Sequence, residues 1–279
     1  MALNITPVTS HREREKGVLV YPVISRRSGG LSVGINLYPD KKFCLFDCPY
    51  CEVFPFAANA SFSLEQMEQD LRDCLSAALE QNVPVKDICF SGNGEPSLSP
   101  AFPEALKLAE TIRAEMAASA KLVLITNGTG LLQPRVFSLL RDAVTPAGGD
   151  ALTIWLKLDA GTKDWYEKMN RSKIPYEELI AKIKAFAACA PVTIQTMLCA
   201  IDGSAPPPQE IQAWVKLLQE LAATAVGKIL KVQIYGKARP ALEDPKASAL
   251  PAKYLEDRAF SLRHSFDDIG INIPVDVYL

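Results

Sequence analysis

Cys44, Cys48 and Cys51 stand in the run Cys44-Leu-Phe-Asp-Cys48-Pro-Tyr-Cys51, a C-x3-C-x2-C spacing that gathers three thiols on one short loop. Thiolates this close in sequence can converge on a metal centre, and soft sulfur ligands select zinc, copper(I) or iron–sulfur clusters. The number of thiols narrows the choice. A structural zinc site closes with four ligands, whereas the two histidines, His11 and His264, are far from the loop in sequence. A 4Fe–4S cluster on three cysteines keeps one iron open for a substrate or cofactor. An incidental zinc site, or buried structural thiols, is the plain alternative. Cys74, Cys89, Cys189 and Cys199 have no ligand spacing and read as small apolar residues.

Other polar residues fall where strand-like runs end. Gly92-Asn93-Gly94-Glu95-Pro96 follows one such run; its glycines let backbone approach a ligand closely, and Glu95 can accept from an ammonium group. Thr126-Asn127-Gly128-Thr129 ends the next, although Asn-Gly is also an ordinary turn signal. In Trp155-Leu-Lys157-Leu-Asp159, period-two alternation sets Trp155, Lys157 and Asp159 on one face. Charges inside an apolar run are costly unless paired or ligand-bound, so the two bind a ligand or each other. Gln195, Gln233 and Tyr235 are polar positions in the last strand runs, and Lys237 and Arg239 follow them. That cation pair suits an anionic group, carboxylate or phosphate, or else forms a solvated basic pair.

The elements that must position these residues alternate. Strand runs are expected at Val18–Ile24, Leu31–Asn36, Asp87–Ser91, Lys121–Thr126, Ala151–Leu158, Val192–Leu198 and Ile229–Tyr235. Helical spacing spans about Ser63–Gln81, with Ser63 and Gln66 three apart as in a capping box. Further helices are expected at Pro103–Ala118, Gln133–Arg141, Pro175–Ala188 and Pro208–Thr224. The pattern predicts an α/β fold, a partial (β/α)6 barrel of parallel strands with helices outside and functional residues at the C-terminal strand ends. Residues 1–240 read as the barrel core with an N-terminal extension, and 241–279 as a C-terminal extension ending in a strand-like run, Ile271–Tyr278.

Of the 279 residues, 48% are hydrophobic and 22% charged, and the net charge is −2, so no global basic field draws the chain to nucleic acid. The stretch His11–Lys16 reads as a solvated face. With no apolar leader and no membrane-length apolar run, a cytoplasmic protein is expected, where thiols stay available for metal. Trp214 reads as core among Ile211, Val215 and Leu218, while Trp165 suits core or pocket equally.

The cysteine spacing, with Tyr50 before the last cysteine, resembles the defining motif of the radical SAM superfamily. GNGEP resembles that family's glycine-rich segment, with Asn93 where Gly is common. The resemblance implies a 4Fe–4S cluster on Cys44, Cys48 and Cys51, and S-adenosylmethionine cleaved reductively to abstract hydrogen from a substrate. It implies that Tyr50 and Val53 flank the adenine, and that Gly92, Asn93, Gly94 and Glu95 hold the methionine moiety. Asn127, Lys157, Asp159 and Gln195 would approach the ribose or carboxylate, with Lys157, Lys237 and Arg239 as candidate catalytic residues. Leu31–Pro39 and Lys237–Pro240 are similar to the wyosine-base-type branch (tRNA imidazoguanosine synthetase-like), but no cysteine precedes Cys44 to hold that branch's second cluster. A small-molecule or peptide substrate is therefore expected in preference to tRNA, with flavodoxin or ferredoxin as reductant and no membrane. The alternatives are an RNA-modifying or glycyl-radical-activating enzyme of the same superfamily, or a non-catalytic zinc or nucleic-acid-associated module.

Overall fold

A computed structural model describes residues 17–145, 152–225, 228–239, 241 and 244–279. His11–Lys16, Ala151 and Pro240 lie outside the described residues. The chain divides into two compact units, the first with the residues up to Cys44, Val53–Thr126 and Asp150–Thr153, the second with Leu45–Glu52, Asn127–Gly149 and Ile154–Leu279.

In the first unit, β1 (Val20–Ser25) runs antiparallel to β2 (Gly30–Ile35). Helix α1 (Leu64–Glu80) begins where Ser63 Oγ accepts from the Gln66 N–H at 3.3 Å, satisfying one of the otherwise unpaired amides of the first turn. It buries Met67, Leu71, Leu75 and Ala78, one face of the helix. Each fully buried large apolar side chain of that row contributes about 1.5–3 kcal/mol. Strand β3 (Val85–Phe90) lies parallel to β2, and after α2 (Phe102–Met116) strand β4 (Lys121–Thr126) lies parallel to β3. The C-terminal ends of these three strands lead to Asn36, to Gly92–Glu95 and to Thr126.

The second unit holds α3 (Pro134–Val144), β5 (Thr153–Lys157), α4 (Lys163–Met169), α5 (Tyr176–Cys189) and β6 (Val192–Leu198). It continues through β7 (Ala200–Ile201), α6 (Pro208–Thr224), β8 (Ile229–Gly236), β9 (Ala247–Ser248), α7 (Ala252–Asp267) and β10 (Val275–Tyr278). Strands β5, β6, β8 and β10 lie parallel and in that order. β6 is buried at every residue, as a strand covered on both faces must be. Their register sets Lys157, Gln195, Gln233 and Asp276 across from one another.

The α/β class stands as the alternation predicts, but β1 runs antiparallel to β2 where a parallel strand is expected, the short antiparallel pair β7 and β9 is not expected, and further elements differ. Helix α4 fills what reads as a loop. Helix α7 occupies a tail marked by proline and charge, and it buries Leu255, Ala259, Leu262 and Phe266 at helical spacing. Strand β10 starts only at Val275, since Pro274 has no N–H to give a ladder, although its carbonyl accepts from the Val232 N–H at 2.8 Å. Among the described residues, no helix is long and apolar enough to cross a membrane.

Candidate active site

In the first unit, the segment that leads into the cysteines is tied to the GNGE turn. The Phe43 N–H donates to the Asn93 carbonyl at 3.0 Å, and the Glu95 N–H donates to the Phe43 carbonyl at 2.8 Å. Gly94 is required there, because a Cβ on it would lie 2.0 Å from the Phe43 carbonyl oxygen. Asn93 also donates its Nδ2 to the Tyr38 carbonyl at 3.1 Å and its backbone N–H to Asn36 Oδ1 at 3.2 Å. The far side of the loop is closed by the Ala58 N–H donating to the Asp40 carbonyl at 2.8 Å. The residue before Cys44 and the glycine-rich turn are thus one hydrogen-bonded piece, although about fifty positions separate them in sequence.

Glu95 is buried and its Oε1 accepts from the Ser97 hydroxyl and the Thr126 hydroxyl, each at 2.6 Å, and from the Ser97 N–H at 3.2 Å. These donors fix the carboxylate at the C-terminal ends of β3 and β4. Neither Ser97 nor Thr126 was evident as a partner from sequence. Gly92 has φ of 121°, a conformation that glycine adopts without strain. Val53 is buried in this unit as well.

The second unit carries a denser polar cluster. Asp159, just past β5, is buried; its Oδ2 accepts from the Tyr50 hydroxyl and from Asn170 Nδ2 at 3.2 Å, and its Oδ1 accepts from the Met197 N–H at 2.9 Å. The Lys157 ammonium lies 3.5 Å from Asp159, donates to the Tyr50 oxygen at 2.5 Å and sits 4.4 Å from the centre of the Tyr50 ring. Of the residues expected to share a face, Trp155, Lys157 and Asp159, the two charged ones are paired with each other. Burial alone would lower the Lys157 pKa, but Asp159 and Tyr235 outweigh it and the ammonium is held more tightly than usual. Burial, then Asp159, pushes the Tyr50 hydroxyl well above its usual range.

Cys48 touches this cluster directly. Asn170 Nδ2 donates to Cys48 Sγ at 3.6 Å, and the Asn170 carbonyl accepts from the Asp47 N–H at 2.9 Å. Phe46 packs edge-on against Tyr166 with ring centres 5.7 Å apart. Helix α4 and the asparagine after it therefore clamp residues 46–48 of the loop. Asn170 was not singled out from sequence, where an asparagine after a short helical run looks like any helix end. The Cys51 N–H donates to the Cys48 carbonyl at 2.9 Å, which turns the loop between these two ligand candidates.

Behind Asp159, the loop is anchored to α6. Buried Glu210 accepts from the Gly161 N–H and the Thr162 hydroxyl, both at 2.5 Å, and Tyr176 donates to the Gly161 carbonyl at 2.7 Å. A Cβ on Gly161 would lie 2.1 Å from the Trp214 backbone nitrogen, so α6 approaches the loop only because that position has no side chain. Trp165 is buried on α4 and Trp214 on α6.

The remaining residues expected at the site are engaged in several ways. Gln195 donates to Gln233 at 2.6 Å, an amide pair buried across β6 and β8. Asn127 Oδ1 accepts from the Thr129 N–H at 2.9 Å and the Thr129 hydroxyl at 2.7 Å, so it also builds its own turn. Lys237 donates to the Arg239 carbonyl at 2.7 Å, and Arg239 Nε lies 2.8 Å from Glu52 Oε2. The basic pair thus meets an acidic residue that directly follows Cys51.

The donor set suits a centre that carries negative charge on sulfur. Among the described residues, Cys44, Cys48 and Cys51 form no disulfide. Burial raises the Cys48 thiol to about 11, with the Lys157 ammonium acting in the opposite direction. A cation and an amide N–H beside one sulfur are partners that a metal-bound thiolate uses. His264, the one described histidine, is exposed on α7 near Asp268. Among the described residues, no three His, Cys, Asp or Glu side chains are grouped as ligands of a metal ion.

Two solved structures share the fold. A radical SAM methyltransferase from Sphaerobacter thermophilus matches with a TM-score of 0.59 at 16% identity, covering 89% of this chain and 66% of that one. SuiB of Streptococcus suis bound to S-adenosylmethionine matches with a TM-score of 0.63 at 15% identity, covering 88% of this chain and 50% of that one. At such identities the likeness speaks for the fold, an α/β arrangement of the partial TIM-barrel kind. In sequence, UPF0026 proteins from two Helicobacter pylori strains are 30% identical over 127 residues, 43% of this chain. The aligned part spans 38% of those relatives' length. Residues 38–203, which include all three cysteines, GNGE, Lys157, Asp159 and Gln195, match the radical SAM superfamily. The chain belongs to the radical SAM superfamily, a class of enzymes whose members imply a 4Fe–4S cluster and S-adenosylmethionine.

Proposed function

We propose that this enzyme cleaves S-adenosylmethionine reductively and abstracts hydrogen from a substrate, with Cys44, Cys48 and Cys51 as the ligands of a single 4Fe–4S cluster. When bound, that cluster supplies the electron that splits the cofactor into methionine and a 5′-deoxyadenosyl radical. The observation that carries the reading is the superfamily match over 38–203, together with the direct hydrogen bond from Asn170 to Cys48 and on to Asp159.

The chain's own groups have distinct tasks in this reading. Gly92, Asn93 and Gly94 present backbone to the methionine moiety, and Glu95, held by Ser97 and Thr126, accepts from its ammonium. Tyr50 and Val53 lie beside the adenine. Asp159 and Lys157, already paired, orient the ribose and carboxylate, with Asn127 and Gln195 as further polar contacts. Lys157 is a cation, not a base, because its proton is held above the usual range. Lys237 and Arg239 face an anionic substrate group, which would share Arg239 with Glu52.

We place the chain near the wyosine-type branch, on the strength of Leu31–Pro39 and the Arg239-Pro240 pair. The substrate is a small molecule or a peptide in preference to tRNA; the related fold of SuiB is known bound to a precursor peptide. The reductant is flavodoxin- or ferredoxin-like, and the setting is the cytoplasm. Anaerobic reconstitution followed by metal and sulfide analysis tests the ligand assignment. About four irons and four sulfides per chain support it; one zinc without iron refutes it.

A further inference from the structure

Within the second unit, Asn170 at the end of α4 grips Cys48. It is 2% exposed, directly follows α4, and uses both faces of its amide and backbone. One Nδ2 hydrogen points to Cys48 Sγ at 3.6 Å and the other to Asp159 Oδ2 at 3.2 Å, while its carbonyl takes the Asp47 N–H at 2.9 Å. The amide nitrogen has two hydrogens and both are used, so the side chain cannot turn away without losing a buried bond.

We infer that Asn170 is a positioning residue that sets the reduction potential of a cluster ligated by Cys48, through its N–H···S hydrogen bond. The inference rests on the cluster assignment proposed above. Hydrogen bonds to sulfur draw electron density from the cluster and favour its reduced form, and outer partners of this kind tune a metal site without touching the metal. Asp159 fixes the amide from the other side, and Tyr50, Lys157 and the Met197 N–H fix Asp159. The orientation of the donor is therefore built in and does not depend on solvent. Asn170 is the link between the cluster ligand and the cofactor-facing carboxylate.

Two variants separate tuning from mere packing. Asn170→Leu keeps the branching, the number of side-chain heavy atoms and the main-chain bond to Asp47 but removes both N–H donors. Asn170→Asp keeps the shape and sets a carboxylate against sulfur and Asp159. The readout is the midpoint of cluster reduction in an EPR-monitored redox titration of the reconstituted full-length chain without cofactor. Asn170→Leu should weaken reduction about tenfold, equal to about 59 mV in the negative direction for a one-electron couple, and Asn170→Asp should shift it further the same way. Midpoints within error of wild type in the leucine variant overturn the inference. So does loss of the cluster from both variants while wild type holds it, since Asn170 would then only assemble the loop. Wild type that binds no cluster refutes instead the assignment beneath it, which distinguishes the two failures.

Discussion

Asp159→Ala is expected to destabilise the chain by about 3–5 kcal/mol, the range for breaking a buried ion pair from one side. The Asp159 side chain has 0% exposure and satisfies the Tyr50 hydroxyl, Asn170 Nδ2 and the Met197 N–H, besides pairing with Lys157. Its removal leaves a buried ammonium and three donors short of a partner. Lys157→Met is the informative contrast. It takes away a cation that is 17% exposed and leaves Asp159 still bonded to three donors, so the loss should be about 1–3 kcal/mol. Thermal unfolding of the metal-free chain, followed by tryptophan fluorescence, should therefore fall by about 10 °C for Asp159→Ala and clearly less for Lys157→Met. The alkaline limb gives a sign check. The Lys157 pKa is raised on folding, so its contribution is complete below the unfolded lysine value of about 10.4 and fades as pH rises towards the folded one. The gap between wild type and Lys157→Met should be constant from about pH 7 to about pH 9. A loss in Asp159→Ala equal to or smaller than that in Lys157→Met would refute the view that the carboxylate organises this cluster.

Three further outcomes follow from the geometry. Burial raises the Glu210 pKa against the hydrogen bonds of Gly161 and Thr162, so the charged carboxylate costs stability above its folded pKa and that cost disappears on protonation. Urea titrations should accordingly show wild type gaining on Glu210→Gln as pH falls from about 7 towards the unfolded glutamate value of about 4.3; a gap independent of pH contradicts this. Gly161→Ala forces a Cβ to within 2.1 Å of the Trp214 nitrogen and should lower stability by about 1–3 kcal/mol, with partial loss of reconstituted cluster absorbance as the α4 clamp shifts. Thr126→Val removes one of three hydrogen bonds to Glu95 Oε1 and should weaken S-adenosylmethionine binding several-fold by calorimetry while stability changes by about 1 kcal/mol; unchanged affinity would detach Glu95 from the cofactor.

The candidate residues are legible as local patterns because they lie where strands end and the chain is punctuated. The cysteine spacing, GNGE and the Lys157/Asp159 alternation are local patterns, and the elements around them are close to expectation: α1 at Leu64–Glu80, β4 at Lys121–Thr126 and α6 at Pro208–Thr224. What stayed hidden is the connection between them. Asn170 and Cys48 are 122 positions apart, and Thr126 and Glu95 are 31 apart; no periodicity reports a single hydrogen bond over such a span. Helix α7 had a readable apolar row in Leu255, Ala259, Leu262 and Phe266, but the prolines and charges around it obscured the spacing. Helix α4 is only seven residues long, too short for a helical period to declare itself. Between a ligand role and mutual pairing for Lys157 and Asp159, the mutual pairing is present.

The central claim is that the three-cysteine loop starts radical chemistry. Its most direct test is the yield of 5′-deoxyadenosine from anaerobically reconstituted full-length enzyme given dithionite and S-adenosylmethionine. Wild type should give 5′-deoxyadenosine and methionine, and a chain with Cys44, Cys48 and Cys51 all replaced by alanine should give none. Wild type that holds a reducible 4Fe–4S cluster yet forms no 5′-deoxyadenosine would contradict it.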